Sequence, residues 1–102
     1  MGPTNHPSSC VAIVELEYDS AGNVTRQEHY GVDGQLTLDS NGVAIYEWEY
    51  DGAGNMIRLE HYGVDGRLVA DSNGVAIIEN EYDSAGNVVA LRAYDAQGRL
   101  LN

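Results

Sequence analysis

The chain has 102 residues, of which 43% are hydrophobic, and 16 acidic residues against 5 basic ones give it a formal net charge of −11. That length suits one domain, and the charge repels phosphate backbones and anionic lipid surfaces, so the sequence predicts neither nucleic-acid nor membrane binding. A single cysteine excludes an intrachain disulfide. Seven tyrosines and 12 glycines, with no phenylalanine, favour strands joined by turns.

One sequence unit of 32 residues occurs twice in full after a short leader, and a third copy follows without its last two residues. We predict a disordered leader without a secretory signal at residues 1–8. A single repeat domain follows at 9–102, with copies at 9–40, 41–72 and 73–102. A fixed period of this length is typical of repeat architectures, in which each unit buries its apolar residues against its neighbours. Because the last copy stops where another would begin, we expect the chain to be a segment of a longer array.

Each copy is predicted to begin with a strand, at 11–18, 43–50 and 75–82. In the second copy, alternation places the aromatic residues on one face and Glu47 and Glu49 on the other. The strand leads into a DSAGN or DGAGN turn. Its aspartate can bond the backbone ahead of it, and its glycine can take the left-handed conformation that closes a type I turn with a bulge.

A second strand, at 24–30 in the first copy and 56–62 in the second, is predicted to return as a hairpin. With a three-residue loop, the sequence predicts that Tyr18 lies opposite Val24. Each step back along the first strand then corresponds to one step forward along the second strand. The resulting pairs are Leu16 with Arg26 and Val14 with Glu28. One predicted face carries Ala12, Val14, Leu16, Tyr18, Val24, Arg26, Glu28 and Tyr30, and the other carries Val11, Ile13, Glu15, Glu17, Thr25, Gln27 and His29.

A link then passes the chain to the next copy through a GVDG turn, a short apolar stretch (QLTL or RLVA) and a tight DSNG turn. Because an isolated hairpin is marginal in water, we expect the hairpins to stack and to bury part of each face. In such a stack, Arg58 is predicted to make a cation–π contact with Trp48. The predicted fold class is all-β, with tandem β-hairpin repeats stacked as a solenoid, roll or spiral sheet.

The turn blocks resemble a known repeat family. EYDSAGN at 17–23 and 81–87, EYDGAGN at 49–55 and AYDAQGRL at 93–100 are similar to the tyrosine–aspartate (YD) repeats of Rhs-type proteins, whose core is YDxxG followed by Asn or Arg. The resemblance implies β-hairpins that wind into a spiral sheet or shell, and a structural role, often in secreted or cell-surface bacterial proteins. The chain departs from the pattern where YGVDG replaces YDxxG and where the DSNG link lengthens the period.

The acidic turns are candidate cation sites. Segments 39–42, 71–74 and 19–23 combine carboxylates, amides and glycine, as calcium loops do. They lack the distal bidentate glutamate of a helix–loop–helix site and the nonapeptide spacing of a β-roll, and the same residues are common in ordinary turns. We therefore interpret them as turns and keep a calcium site as the alternative. Cys10 is interpreted as a variant turn residue, with a reactive thiol as its alternative.

Two histidines recur at matching positions, His29 in the first copy and His61 in the second, each after a glutamate. If the copies stack in register, such a pair with nearby glutamates can hold zinc. The third copy has Ala93 at this position, so we prefer to interpret the histidines as polar strand residues.

Glutamates also recur along the first strand of every copy. Catalysis by paired carboxylates requires one unique constellation, whereas these repeat with the period, so we interpret them as a solvated or salt-bridged face close to Arg26 and Arg58. The two ladders are Glu15, Glu47 and Glu79, and Glu17, Glu49 and Glu81.

The sequence contains no nucleophile elbow, phosphate-binding loop, HExxH or CxxC motif. We therefore predict that the protein is not an enzyme, and we assign no catalytic, cofactor-binding or metal residue. The predicted function is a structural or interaction module that presents a rigid β surface for protein or glycan contact or for self-assembly. The alternative is a calcium-binding β-repeat. Exposed strand edges predict a homo-oligomer.

Overall fold

The computed structural model describes residues 11–101. The leader predicted at 1–8 and the residues Cys10 and Asn102 lie outside the described residues. The all-β prediction is confirmed: six antiparallel strands form one open sheet in the order β1-β2-β3-β4-β5-β6. The strands are β1 Ile13–Tyr18, β2 Val24–Tyr30, β3 Ile45–Tyr50, β4 Met56–Tyr62, β5 Ile77–Tyr82 and β6 Val88–Tyr94. In the described part of the chain, no helix is long and apolar enough to cross a membrane.

The sheet consists of three hairpins lying side by side. Strands β1 and β2, β3 and β4, and β5 and β6 form the hairpins, and β2 pairs with β3 as β4 pairs with β5. We call these two contacts between hairpins the joints. The hairpins thus join through backbone hydrogen bonds at their edges, whereas the sequence predicted that they stack and bury parts of their faces.

The hairpin turns have the predicted conformation. In the first turn, the Gly22 amide donates to the Asp19 carbonyl at 3.1 Å, and Gly22 has a φ of 89°. The Asp19 carboxylate accepts from the Ala21 and Asn23 amides at 3.0 and 2.9 Å. These bonds satisfy backbone groups that the turn would otherwise leave unpaired, which is why Asp at the first turn position favours this conformation.

The predicted hairpin register is right at the turn and wrong beyond it. Tyr18 pairs with Val24 as predicted, but Glu17 pairs with Arg26, because Thr25 is an extra residue that forms a bulge. A bulge shifts the following pairs by one residue, and a shift of one exchanges the faces of a strand. Leu16 therefore pairs with Gln27 instead of Arg26, and Val14 pairs with His29 instead of Glu28.

The corrected register separates the side chains by chemistry. One face, here called the ionic face, carries the strand glutamates, the arginines and Tyr30, Tyr62 and Tyr94. The opposite face, here called the aromatic face, carries the histidines with Tyr46 and Trp48. Arg58 pairs with Glu49 on the ionic face, whereas Trp48 pairs with Leu59 on the other. The predicted contact between Arg58 and Trp48 is therefore wrong.

The buried core is small and lies at the joints. Its apolar residues are Val43, Ala44, Ile45, Ala76 and Ile77, each at most 6% exposed. All come from the VAI segment that leads into β3 or β5. Because the sheet has a single layer, these segments supply the burial that holds neighbouring hairpins together.

We predict that Gly54→Ala lowers the free energy of unfolding by about 1–2 kcal/mol, because Gly54 has a φ of 87° that alanine adopts only with strain. Gly52→Ala in the same turn is the matched control. Gly52 is not among the positive-φ glycines, and an added Cβ meets no atom within 4 Å. Urea unfolding should leave the control within about 0.5 kcal/mol of the parent chain. Equal losses in the two variants would contradict the assigned turn.

Candidate functional site

An arginine clamp crosses each joint on the ionic face. The Arg26 guanidinium binds Glu28 on its own strand at 2.9 Å and also binds Glu47 on β3. In the next joint, Arg58 binds Glu60 at 2.9 Å and also Glu79. Both guanidiniums are 30% exposed, so the ion pairs are partly shielded from water. The interpretation of Glu47 and Glu79 as salt-bridged residues is confirmed.

The third copy changes the charges of this pattern. Ala90 stands where the earlier copies have Arg26 and Arg58, and Arg92 stands where they have a glutamate. Arg92 binds Glu81 of its own hairpin at 2.7 Å. The ionic face of β6 therefore offers a positive side chain at a position where the inner strands offer a negative one.

A cavity of about 290 Å³ opens on the ionic face, lined by Arg58, Ile77, Glu79, Tyr94 and Gly98. The Arg58 guanidinium of this cavity is already bound by the carboxylates of Glu60 and Glu79. The Tyr94 hydroxyl donates to Glu79 at 3.0 Å. The polar groups of the cavity thus bind one another, and the arrangement gives an incoming anion no unoccupied positive partner.

A cluster on the aromatic face brings the two recurring histidines to one tyrosine. The Tyr46 ring meets the ring of His29 edge-on at 5.5 Å and that of His61 edge-on at 5.1 Å, measured between ring centroids. Each histidine is 3% exposed. Tyr46 therefore lies between the two rings, and this packing does not form the adjacent histidine pair on which the zinc alternative was based.

Polar partners satisfy the cluster. The Tyr46 hydroxyl donates to the Asp39 carboxylate at 2.7 Å. Nδ1 of His29 lies 3.2 Å from the Val43 carbonyl oxygen, and that of His61 lies 2.9 Å from the Val75 carbonyl oxygen. Burial of the phenol, together with the neighbouring Asp39 carboxylate, raises the pKa of Tyr46 to about 12. The cluster is a satisfied polar core, in agreement with the preferred interpretation of the histidines as polar strand residues.

The turn carboxylates are used by their own turns. Oδ1 of Asp51 accepts from the Ala53 and Asn55 amides at 3.0 and 2.8 Å, and Asp19 and Asp83 repeat this pattern. These amide bonds hold the pKa of each of the three carboxyls below its usual value. Within residues 11–101, no three His, Cys, Asp or Glu side chains come close enough together to hold a metal ion.

The two outer strands expose apolar residues. All six residues of β1 are exposed. Ile13 is 50% exposed, whereas its counterparts Ile45 and Ile77 are 4% and 6% exposed. On β6, Val89 and Leu91 are 61% and 64% exposed. We call the outer sides of β1 and β6 the open edges. In the described part of the chain, no strand pairs with either, although Leu100 bridges Tyr94 and the Leu101 amide donates to the Ala93 carbonyl at the end of β6.

A tyrosine–carbonyl bond crosses each joint, and the sequence analysis did not predict it. The Tyr50 hydroxyl donates to the Val24 carbonyl at 2.7 Å, and the Tyr82 hydroxyl donates to the Met56 carbonyl at 2.6 Å. The recurrence of this tyrosine just before each Asp turn was the available signal. Its position favours a role in the turn motif, whereas its hydroxyl binds the neighbouring hairpin.

Because the pKa of Tyr46 is raised to about 12, the folded chain keeps a proton that the unfolded chain releases near pH 10. Its contribution to stability is complete below pH 10 and is lost as the pH rises from about 10 to 12. We predict that Tyr46→Phe shows a smaller fall in unfolding free energy between pH 9 and pH 11.5 than the parent chain, measured by urea unfolding. Tyr18→Phe, compared in dilute solution where the chains are not associated, is the control, because Tyr18 is 58% exposed. An unchanged alkaline fall in Tyr46→Phe would contradict this assignment.

Comparison with protein-family models gives no match for this chain, and comparison with curated proteins gives none. The likeness to tyrosine–aspartate repeats therefore stays a prediction that depends on the quoted motifs.

Proposed function

We propose that this protein is a non-enzymatic structural repeat module that binds other chains through the open edges of its sheet. The observation that carries the proposal is that Ala12 and Ile13 are exposed at the start of β1, whereas their counterparts at the joints are buried. Unpaired strand edges bind extended chains through backbone hydrogen bonds, and alternate side chains add specificity.

The rest of the surface supports a role for the edges more than for the faces. On the ionic face, the arginines are paired with glutamates, and on the aromatic face, the Tyr46 hydroxyl and the His29 ring have partners in the link that precedes β3. The edges, in contrast, combine exposed Ile, Val and Leu with backbone groups that point away from the sheet.

The tandem arrangement belongs to the same proposal. Each joint repeats the previous one after 32 residues, with Arg26 opposite Glu47 in the first and Arg58 opposite Glu79 in the second. Repetition of one joint is how a solenoid, roll or spiral sheet of hairpins grows. The resemblance to tyrosine–aspartate repeats supports the same architecture and a scaffold role.

We predict that a labelled peptide with the sequence of residues 11–18 binds the protein, because it can add to the β6 edge as an extra strand. Fluorescence anisotropy measures the binding. Leu91→Lys should weaken it at least tenfold, since a lysine opposes burial of that edge. Val32→Lys is the control, because Val32 is 94% exposed in a link turn away from both edges. Equal binding of a scrambled peptide would contradict edge recognition.

The calcium-binding alternative predicts a different response. A cation that binds only the folded chain must raise its melting temperature. In the proposed module, the turn carboxylates are already bound by amides, so we expect the melting temperature in 5 mM calcium chloride to lie within about 2 °C of that in 5 mM magnesium chloride. A calcium-specific rise of many degrees would favour the alternative over the cation-independent module.

A further inference from the structure

The first hairpin begins with the same VAI segment as the other two hairpins, but its Ala12 and Ile13 are exposed to solvent. The segment VAI occurs at 11–13, 43–45 and 75–77. In the second and third copies, the preceding hairpin covers this segment, so Ala44 and Ala76 are 0% exposed. In the first copy, Ala12 and Ile13 are exposed. The β1 edge therefore begins with the same three residues as the strands that a preceding hairpin covers.

We propose that the β6 edge of one copy of this chain pairs antiparallel with the β1 edge of a second copy, in the register that both internal joints use. This inference rests on the proposed function and names the partner as a second copy. The internal joints supply the template, because β2 and β4 meet the following strand through equivalent pairs.

The template fixes the register between the two copies. The first joint pairs Gln27 with Tyr46, and the second pairs Leu59 with Ile78, one period later. A further shift by 32 residues pairs Leu91 with Val14 of the second copy. The neighbouring pairs, from the same shift, are Ala90 with Glu15 and Arg92 with Ile13.

The same shift extends the tyrosine–carbonyl bond. Tyr50 and Tyr82 donate across the internal joints to the carbonyls of Val24 and Met56. At the intermolecular joint, the Tyr18 hydroxyl would meet the Val88 carbonyl of the other copy. Tyr18 is 58% exposed and Val88 is 54% exposed, so both residues are accessible to a second copy.

Charge favours this head-to-tail pairing over pairing of like edges. Strand β1 carries Glu15 and Glu17, whereas β6 carries Arg92 and no acidic residue. Pairing of β1 with a second β1 sets glutamates against glutamates, which is unfavourable across a sheet. Pairing of β6 with β1 places Arg92 diagonal to Glu15, within reach of its long side chain.

The edges also lack lysine and proline, two residues that commonly protect strand edges from pairing. The chain has no lysine, and its two prolines, Pro3 and Pro7, lie before β1. A head-to-tail contact leaves one edge open at each end, so it propagates into longer assemblies unless it closes into a ring.

Disulfide trapping tests the register, with single-cysteine variants in a Cys10→Ser background. A mixture of Glu15→Cys and Ala90→Cys should give a cross-linked pair under mild oxidation, since opposite strand residues lie within disulfide reach. Leu16→Cys mixed with Ala90→Cys is the matched control, because Leu16 is one residue further along and on the other face. Equal cross-linking by the control, or by Glu15→Cys alone, would overturn the proposed register.

Sedimentation velocity provides the second readout on the unmodified chain. We expect the mean mass to rise with concentration, and Val14→Lys or Leu91→Lys to abolish the rise, while Val32→Lys keeps it. Circular dichroism at low concentration verifies that the variants fold. A chain that stays monomeric at all concentrations but binds the 11–18 peptide would overturn the second-copy proposal and leave the proposed function intact. Loss of both would overturn both.

Discussion

Backbone pairing between neighbouring hairpins is the constraint on which the rest of this structure depends. A single-layer sheet has no second layer to cover its faces, so apolar burial is confined to the places where one hairpin meets the next. These places are the two VAI segments at 43–45 and 75–77, in which every residue is buried except Val75, which is half-buried. The tyrosine–carbonyl bonds of Tyr50 and Tyr82 cross the same two joints. Pairing between neighbouring hairpins therefore accounts for the buried apolar residues, for the 32-residue period of the contacts and for the unpaired strands at the two ends of the sheet.

The two faces strengthen the joints in different ways. On the ionic face, each arginine binds a glutamate on its own strand and another on the next hairpin, so Arg26 ties β2 to β3. Partly exposed ion pairs contribute modestly, but a guanidinium held by two carboxylates also fixes the register. On the aromatic face, Tyr46 packs between His29 and His61 and connects the first two hairpins. This cluster occurs once, because Val14 and Ile78 replace the tyrosine in the other copies.

Much of the fold could be predicted from the repeated sequence, and the errors in strand register have one physical cause. The hairpins and the left-handed glycines follow from the Asp–Gly turns, and the strand pairs next to the turns were right. The extra residue Thr25 leaves no mark in the sequence, yet its bulge moves Arg26 to the face of the glutamates. Edge-to-edge joining was also not predictable, because the mixed polarity of both faces is compatible with stacking. The burial of His29 depends on Tyr46, which belongs to another hairpin.

Hydrogen exchange at single amides tests the central claim most directly, because the Ala93 amide occupies the place of the His29 and His61 amides. Those two donate across the joints to the Ala44 and Ala76 carbonyls, at 3.0 and 2.9 Å. The account predicts slow exchange of the His29 and His61 amides at every concentration. It predicts fast exchange of the Ala93 amide in dilute solution and strong protection once the chains associate. Fast exchange of the Ala93 amide in associated chains would contradict it. So would exchange of the His29 and His61 amides as fast as that of Ala93 in dilute solution.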